Sequence, residues 1–549
     1  MIALLARASL VHLSACGWLC LSSLSPLRNQ GYLNILFIHA ALLCLTILNV
    51  LRTACTMLHA VVRPELAFTF LRSLPGVRRI VERSKRQILL ELEVSLKSGA
   101  KEQKICELPT SGLSVEDILK TAARLKNGDY KQLFYASKLT GTIYASDTRH
   151  RDLCNTVYCD FAHTNPLHSD AFPSVGRMEL EIVHMTSRLL SSDSRIEICG
   201  TVTSGGTESI LTAIRASRDF ICHTKGITNP EMIVSLSAHA AVYKAAEYFK
   251  IKIRRVPMDE NGRMNILAVK KALRRQTVLV YASAPTYPHG TIDPVDDLSN
   301  IALQHGCCLH VDACLGGFVL PFLSDVEHES RVPKFDFSLP GVTSMSVDTH
   351  KYGYAQKGSS VILYSTAIMR QFQYTSVADW SGGLYISPTP AGSRSGGLIA
   401  QTWAAMLHMG YEGYSKAAHD IFAGAKKLRE AIAATEGLEL IGTHITMIVA
   451  WHTSTGSNIY VLNDILTSKG WRLAVLQNPK ALHFCITPAN LSAIDELITD
   501  LRSAVRLSQT LKTVPGGKAP IYGLAHGLPD RGVIKALLKD VQDVMLNNM

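Results

Sequence analysis

The segment "SVDTHKYGYAQKGSS" (residues 346–360) places Lys351 directly after a short strand-like run and His350, among small residues and glycine turns. A lysine in a loop is usually a solvated surface charge, but Tyr352 and Tyr354 follow this one closely and Gly353 permits close approach of other segments. Burial lowers a lysine pKa from its reference of about 10.4, because burial disfavours the charged form. We therefore predict that Lys351 is half-buried and supplies a neutral amine for covalent chemistry.

A glycine-rich turn precedes a helical pattern in "TVTSGGTES" (residues 201–209). Backbone N–H groups of such a turn at a helix N-terminus bind phosphate, and Gly205, Gly206 and Thr207 occupy the turn. The Ser204 hydroxyl is a further candidate donor. A glycine pair before a helix is more often only a turn, so this signal needs support from other residues.

Two more residues supply that support. Asp312 ends the buried-looking strand of "LHVDACLGG" (309–317), and His239 opens the helix of "SAHAAVYKAA" (237–246). Taken singly, each is a common capping or core residue. A phosphate cradle, a strand-end carboxylate, a stacking imidazole and the downstream Lys351 are together what pyridoxal 5'-phosphate needs. We predict this cofactor and no metal.

From about residue 140, short apolar runs alternate with longer amphipathic stretches. This alternation predicts an α/β fold with many parallel strands, which binds ligands at the carboxyl ends of its strands. We predict a membrane anchor (residues 1–60), a basic juxtamembrane and N-terminal segment (61–140), a large cofactor-binding domain (141–400) and a smaller C-terminal domain (401–549).

The membrane anchor rests on "NQGYLNILFIHAALLCLTILNVL" (29–51), which has no charged residue and is long enough to span a bilayer as a helix. Residues 1–90 hold ten Arg and Lys against two Glu, and most of the Arg and Lys follow the span. That bias predicts a single-pass protein whose catalytic domain faces the cytosol. Residues 8–27 are also uncharged, so a second span stays open.

The basic residues do not indicate a nucleic-acid partner. The net charge of +11 comes mainly from the N-terminal 90 residues, and not from a folded face that interleaves basic and aromatic side chains. The thirteen cysteines show no paired spacing, which is typical of a reducing compartment.

Several blocks resemble the sphingosine-1-phosphate lyase family, which contains pyridoxal-phosphate enzymes of fold type I related to the group II decarboxylases. The blocks follow the family's order and cover roughly residues 65–540. They are "DFAHTNPLHSDAFP" (160–173), "TSGGTESIL", "SAHAAVYKAAEYF", "APTYPHGTIDPV", "LHVDACLGGF", "GVTSMSVDTHKYGYAQKGSS" and "AGSRSGG" (391–397). The resemblance implies a mainly parallel seven-stranded sheet flanked by helices, and a smaller α+β C-terminal domain.

The resemblance also implies site roles. Lys351 would form the Schiff base with the cofactor and Asp312 would pair with its pyridine nitrogen. The other implied cofactor contacts are His239, Gly205, Gly206, Thr207 and His350. The implied substrate-phosphate contacts are Lys357, His168, Tyr144 and Arg394, and the candidates for proton transfer are Lys351, His168, Tyr144 and Tyr287.

Three positions depart from the family pattern. The family commonly has Pro where this chain has Gln356 and Ser395, and often Phe where it has Tyr287. The first two departures predict looser loops around Lys357 and Arg394, and thus an effect on substrate affinity more than on chemistry.

The implied reaction is retro-aldol cleavage of the C2–C3 bond of a phosphorylated sphingoid base, giving a long-chain aldehyde and phosphoethanolamine. The implied setting is a homodimer at the endoplasmic reticulum membrane, with active sites built by both subunits. Two alternatives stay open: an amino-acid decarboxylase of the related group II family, and a membrane-tethered interaction protein that keeps only the fold.

Overall fold

The computed structural model describes most of the chain from residue 105 onward. The described residues are 105–134, 136–145, 147–191, 197–323, 332–443, 446–454, 457–511, 513–514 and 531–548, with scattered positions between 76 and 93. The predicted span at 29–51 and the stretch 8–27 lie outside them. Among the described residues no helix has the length and apolarity that crossing a bilayer requires.

The chain divides into two compact units. One unit consists of Met1–Leu108 and Leu524–Met549, and the other is Pro109–Gly523. The first unit contains the C-terminal helix Arg531–Asn548, in which Asp540 forms an ion pair with Lys85. The second unit contains both large sheets and every site residue discussed below.

A seven-stranded sheet organises the larger unit, in the order β1-β7-β6-β5-β4-β2-β3. Its central pairs are parallel, whereas β7 runs antiparallel to both β1 and β6. This confirms the predicted α/β sheet with mainly parallel strands. The strands are β1 Cys199–Thr203, β2 Glu231–Ser235, β3 Lys252–Val256, β4 Thr277–Ser283, β5 Cys308–Asp312, β6 Ser344–Val347 and β7 Ser360–Tyr364.

Helices cover both faces of this sheet, as a parallel sheet requires, because its strands are buried on both sides. β2, β4, β5, β6 and β7 are buried along their whole length. The helices up to β7 are α1 Val115–Phe134, α2 Thr148–Phe161, α3 Pro173–Leu189, α4 Gly206–Lys225, α5 Ala241–Phe249, α6 Ile266–Ala272 and α7 Val295–His305. Two buried apolar clusters result, one including α3 and α7 and one including α4 and α5.

The rest of the larger unit follows β7. The short helix α8 (Ala367–Gln371) precedes a hairpin of β8 (Thr375–Val377) and β9 (Tyr385–Ser387), and then comes α9 (Gly396–Ala433). Gly410 has a φ of 57° and kinks α9. The predicted domain boundary between residues 400 and 401 falls inside α9 and stays a prediction.

A four-stranded antiparallel sheet lies C-terminal to α9, in the order β10-β11-β13-β12. The region has the α+β composition that the sequence predicts for the C-terminal part. Its elements are β10 Leu438–Ile441, β11 Ile448–Thr453, α10 Ile459–Ser468, β12 Ala474–Leu476, β13 Ala481–Cys485 and α11 Ile494–Ser508; the C-terminal helix of the smaller unit is α12.

Candidate active site

The carboxyl ends of neighbouring strands create the site. β1 ends at Thr203 just before the glycine turn, β5 ends at Asp312, and β6 ends just before Asp348. A cavity of about 340 Å³ opens there, within the size range of small-molecule sites. Its lining includes every predicted cofactor contact and Tyr287; the predicted contacts are Lys351, Asp312, His239, Gly205, Gly206, Thr207 and His350.

The glycine turn fits tightly against its neighbours. Gly205 has a φ of 155° and precedes the first residue of α4, Gly206. A Cβ on Gly206 would lie 2.7 Å from the Asp348 carboxylate oxygens and 2.9 Å from Cys314 Sγ, so this position requires glycine. The N-terminus of the 20-residue α4 therefore meets the cavity with its backbone unobstructed, which suits a bound phosphate.

Two hydroxyl groups near this turn have partners that the sequence did not suggest. The Ser204 hydroxyl, predicted as an additional phosphate donor, lies 2.5 Å from Glu208 Oε2, and Ser204 N donates to the same oxygen. Ser209 Oγ lies 2.6 Å from Thr203 Oγ1 and 2.9 Å from Ser360 Oγ. The first turn of α4 is thus fixed to β1 and β7.

Asp312 has several hydrogen-bond donors. Its carboxylate accepts a hydrogen bond from the Tyr281 hydroxyl at 2.5 Å and one from Cys314 N at 3.1 Å, and Ser346 Oγ lies at 3.4 Å. Burial alone would raise the Asp312 pKa, but the electrostatic influence of His239 and the hydrogen bonds from Tyr281 and Cys314 outweigh burial and lower it. Asp312 is therefore an anion at neutral pH.

Lys351 pairs with a carboxylate that sequence reasoning missed. Lys351 Nζ lies 2.8 Å from Asp348 Oδ2, and Asp348 is only 2% exposed. The prediction that burial lowers the Lys351 pKa was wrong for this state. Burial acts in that direction, but the negative charge of Asp348 outweighs it and raises the pKa.

Asp348 has an unused acceptor beside the glycine turn. Its Oδ1 is buried and has no hydrogen-bond partner among the described residues. The sequence signal for Asp348 was its place in "VDTHK", three residues before Lys351. A free acceptor that faces Gly206 and a lysine ammonium is available to a donor on a ligand in this cavity.

Lys357 and Tyr144, both predicted at the substrate phosphate, lie together. Lys357 Nζ lies 4.5 Å from the centre of the Tyr144 ring and 3.4 Å from the His350 carbonyl oxygen. Although the residue as a whole is exposed, partial desolvation of its amine and the neighbouring Lys351 charge lower the Lys357 pKa. Tyr144 is buried, which raises its pKa, and its ring contacts Tyr352 edge-on at 5.0 Å.

His168 and Arg394 are not brought to the cavity in this chain. His168 is exposed in the turn between α2 and α3. Arg394 donates to both carboxylate oxygens of Glu179, at 2.5 Å and 2.9 Å, so its guanidinium already has an anionic partner. The roles of both residues at the substrate phosphate stay predictions.

Tyr287 lies at the rim between two imidazoles. Its ring centre is 6.4 Å from that of His239 and 4.9 Å from that of His483, both edge-on. The side chain is 48% exposed, so it can meet a substrate that enters from solvent. Burial of the phenol is nevertheless sufficient to raise its pKa, which keeps it protonated at neutral pH.

The described residues fit pyridoxal 5'-phosphate by charge and shape. An anionic carboxylate, an imidazole, an amine and a glycine cradle at a helix N-terminus line one cavity, and only glycine fits at Gly206. Fold and site together define a pyridoxal-phosphate-dependent enzyme.

Comparisons with known proteins agree with this class. Residues 143–453 match the family described as pyridoxal-dependent decarboxylase conserved domain. The chain is 44% identical to sphingosine-1-phosphate lyase of Arabidopsis thaliana over 86% of this chain and 87% of the relative. It is 35% identical to that of Saccharomyces cerevisiae over 87% and 82%. The chain therefore belongs to the sphingosine-1-phosphate lyase family, and the predicted cofactor is confirmed.

Solved structures give the same result. The sphingosine-1-phosphate lyase of Burkholderia pseudomallei superposes with a TM-score of 0.71 at 39% identity, covering 74% of this chain and 94% of that one. Glutamate decarboxylase of Lactobacillus brevis superposes with a TM-score of 0.63 at 19% identity, over 75% and 97%. The second likeness concerns the fold alone.

Proposed function

We propose that this chain cleaves the C2–C3 bond of phosphorylated sphingoid bases such as sphingosine 1-phosphate, releasing a long-chain aldehyde and phosphoethanolamine. The observation that carries the proposal is one cavity in which Lys351, Asp312, His239 and the N-terminus of α4 converge. It belongs to a chain 35–44% identical to sphingosine-1-phosphate lyases, whereas the decarboxylase structures share 13–19%. We therefore favour the lyase over the amino-acid decarboxylase and over a catalytically silent protein.

The chain's own residues would hold the cofactor at three points: its phosphate, its ring and its pyridine nitrogen. Gly205, Gly206 and Thr207 bind its phosphate, His239 packs on its ring, and the Asp312 anion keeps its pyridine nitrogen protonated. When bound, pyridoxal phosphate supplies an aldehyde that captures the substrate amine and a ring that accepts the electrons of the broken C–C bond.

Proton transfer falls to groups around the cavity. Cleavage requires removal of the proton from the C3 hydroxyl and delivery of a proton to C2. The Lys351 ammonium and the phenols of Tyr144 and Tyr287 are the candidates for delivery, because their raised pKa values keep them protonated at neutral pH. The Asp348 carboxylate, whose Oδ1 has no hydrogen-bond partner among the described residues, is the candidate in this cavity that accepts the hydroxyl proton. A role for the exposed His168 in this step stays a prediction.

Lys357 and Tyr144 form the proposed subsite for the substrate phosphate. Lys357 is exposed as a residue, and the Tyr144 ring and the His350 carbonyl hold its ammonium group in place. A phosphate dianion gains charge-assisted hydrogen bonds there.

We further propose a homodimer anchored to the endoplasmic reticulum membrane by residues 29–51, with the catalytic domain in the cytosol. The uncharged span followed by basic residues supports the anchor. Exposed apolar side chains on α1 and on the β8–β9 hairpin support the dimer, since a second copy would remove them from water. They include Val115, Ile118, Leu119, Leu125, Trp380, Leu384 and Ile386.

Product analysis tests the function. Detergent-solubilised protein loaded with pyridoxal phosphate should release a long-chain aldehyde from a phosphorylated sphingoid base, and no carbon dioxide from glutamate or aromatic amino acids. Carbon dioxide release without aldehyde would establish the decarboxylase instead. The absence of both products would support the catalytically silent protein.

A further inference from the structure

Hydrogen bonds connect the loop of Lys351 and Lys357 to two helices behind it. We call residues 348–359 the lysine loop. Within it, Gln356 N donates to Gln401 Oε1 on α9 at 3.0 Å, and Gln356 Nε2 donates to Asn155 Oδ1 on α2 at 2.6 Å. None of the cavity-lining residues belongs to α2 or α9. Both contacts therefore act on the site from outside.

Gln401 continues this connection into the interior. Its side chain is fully buried, and Nε2 donates to Leu398 O at 2.9 Å and to Thr402 Oγ1 at 2.8 Å. Thr402 Oγ1 in turn lies 2.8 Å from Ser359 Oγ, which lies 2.6 Å from Thr349 Oγ1. These side chains are all buried, so each unpaired group would be costly.

The network ends on His350, which lines the cavity. Ser359 and His350 exchange two hydrogen bonds, from Ser359 N to His350 Nδ1 and from His350 N to Ser359 O, each at 3.2 Å. The His350 carbonyl oxygen lies 3.4 Å from Lys357 Nζ. A shift at Gln401 would therefore move the backbone that places both His350 and Lys357.

We propose that Gln356 and Gln401 are positioning residues that hold Lys357 for the substrate phosphate, an inference that rests on the proposed function. Neither residue is among those that line the cavity. Instead they fix the lysine loop to α2 and α9. The backbone N–H of Gln356 is the donor of one of these hydrogen bonds. The loop around Lys357 is thus tied in place, contrary to the looseness that the sequence suggested.

Kinetics of Gln401→Met, measured on the full chain loaded with pyridoxal phosphate, test the proposal. Methionine keeps the volume but removes the hydrogen bonds. Gln373→Met is a matched control, because Gln373 is also buried and donates to Thr201 Oγ1 at 2.7 Å and to Pro388 O at 2.8 Å.

Gln401→Met should raise KM for the phosphorylated base about tenfold and change kcat less than about threefold, with reduced preference over the unphosphorylated base. The control should keep wild-type KM and preference. Equal effects of the two variants on KM would overturn the proposal.

Hydrogen–deuterium exchange of residues 349–360 gives a readout that does not require activity. Exchange should be faster in Gln401→Met than in wild type and in Gln373→Met. Faster exchange in a protein without lyase activity would reject the proposed function but keep the network. Unchanged exchange in an active enzyme would reject the network.

Surface variants avoid any failure of folding. Gln356→Ala and Asn155→Ala remove the same hydrogen bond, so each should raise KM by about twofold to fivefold and the double variant should be no worse than either. Additive effects would show that the two side chains act independently and would contradict the proposal.

Discussion

The cofactor end of the site is built on strand ends, whereas the substrate-phosphate end is built on loops. Asp312 closes a buried strand and has donors from β4, from Cys314 and from the β6 residue Ser346. Lys357 lies in a loop, is exposed, and depends on a ring contact and a carbonyl at 3.4 Å. The difference indicates that cofactor chemistry is fixed by the fold, while substrate affinity can change through loop residues.

The largest effect should come from Lys351→Ala, which removes the amine of the cofactor end. Aldehyde release should fall at least on the order of 10³-fold, because no other described amine lies in the cavity lining. Circular dichroism should stay as in wild type. Lys270→Ala, an exposed lysine on α6, is the control; substantial residual turnover in Lys351→Ala would remove Lys351 from the mechanism.

Asp312→Ala should follow in size. Without the anion the pyridine nitrogen loses its counter-charge, so we expect weaker cofactor retention on dialysis and a loss of kcat on the order of 10²-fold. A variant that retains the cofactor, its absorbance spectrum and normal turnover would show that Asp312 only caps the turn to Cys314.

Lys357→Ala tests the loop-built end. Loss of one charge-assisted hydrogen bond costs roughly 1.5–3 kcal/mol, so KM for the phosphorylated base should rise about tenfold to a hundredfold. Cofactor absorbance should be unchanged, and the preference over the unphosphorylated base should shrink. If kcat/KM and that preference both match the Lys270→Ala control, Lys357 is a surface charge and the phosphate site lies elsewhere.

Tyr281→Phe tests the cofactor end of the site through the pH dependence of kcat/KM. The Tyr281 hydroxyl helps to hold the Asp312 pKa low, so removing it should raise that pKa. A smaller fraction of Asp312 is then ionised on acidification, and the acid limb of kcat/KM should move to higher pH while activity at pH 8 changes little. If the acid limb stays at the wild-type pH, the titration that causes it belongs to a group other than Asp312.

Arg394→Ala should have the smallest effect on catalysis. Because Arg394 is paired with Glu179, we expect it to have a structural role. KM should stay within about twofold of wild type, and denaturant unfolding should show a loss of stability of up to about 3 kcal/mol. Glu179→Ala should lose at least as much stability, because it breaks the same pair and also removes the acceptor of Val202 N. A large KM increase in Arg394→Ala alone would instead support the predicted contact with the substrate phosphate.

The sequence was sufficient for the cofactor end because strand ends are local features. A strand followed by Asp312, and a glycine pair before a helix, each place a group at the same sheet edge without knowledge of distant contacts. The same reasoning gave the mainly parallel sheet.

The sequence was insufficient where a contact with a residue distant in the chain decides the position of a site residue. Arg394 pairs with a residue 215 positions away, and the lysine loop is held by residues of α2 and α9. For Lys351 the missing element was a nearby charge. Desolvation can be inferred from the tight turn, but the Asp348 carboxylate reverses its effect on the pKa, and only the folded geometry reveals a distance of 2.8 Å.

The most direct measurement is mass spectrometry of the products formed from one phosphorylated sphingoid base by the cofactor-loaded protein. The account predicts equal amounts of long-chain aldehyde and phosphoethanolamine, and neither product from Lys351→Ala. Intact substrate after prolonged incubation, or a product that keeps the C2–C3 bond, would contradict the assignment of this cavity as a carbon–carbon lyase site.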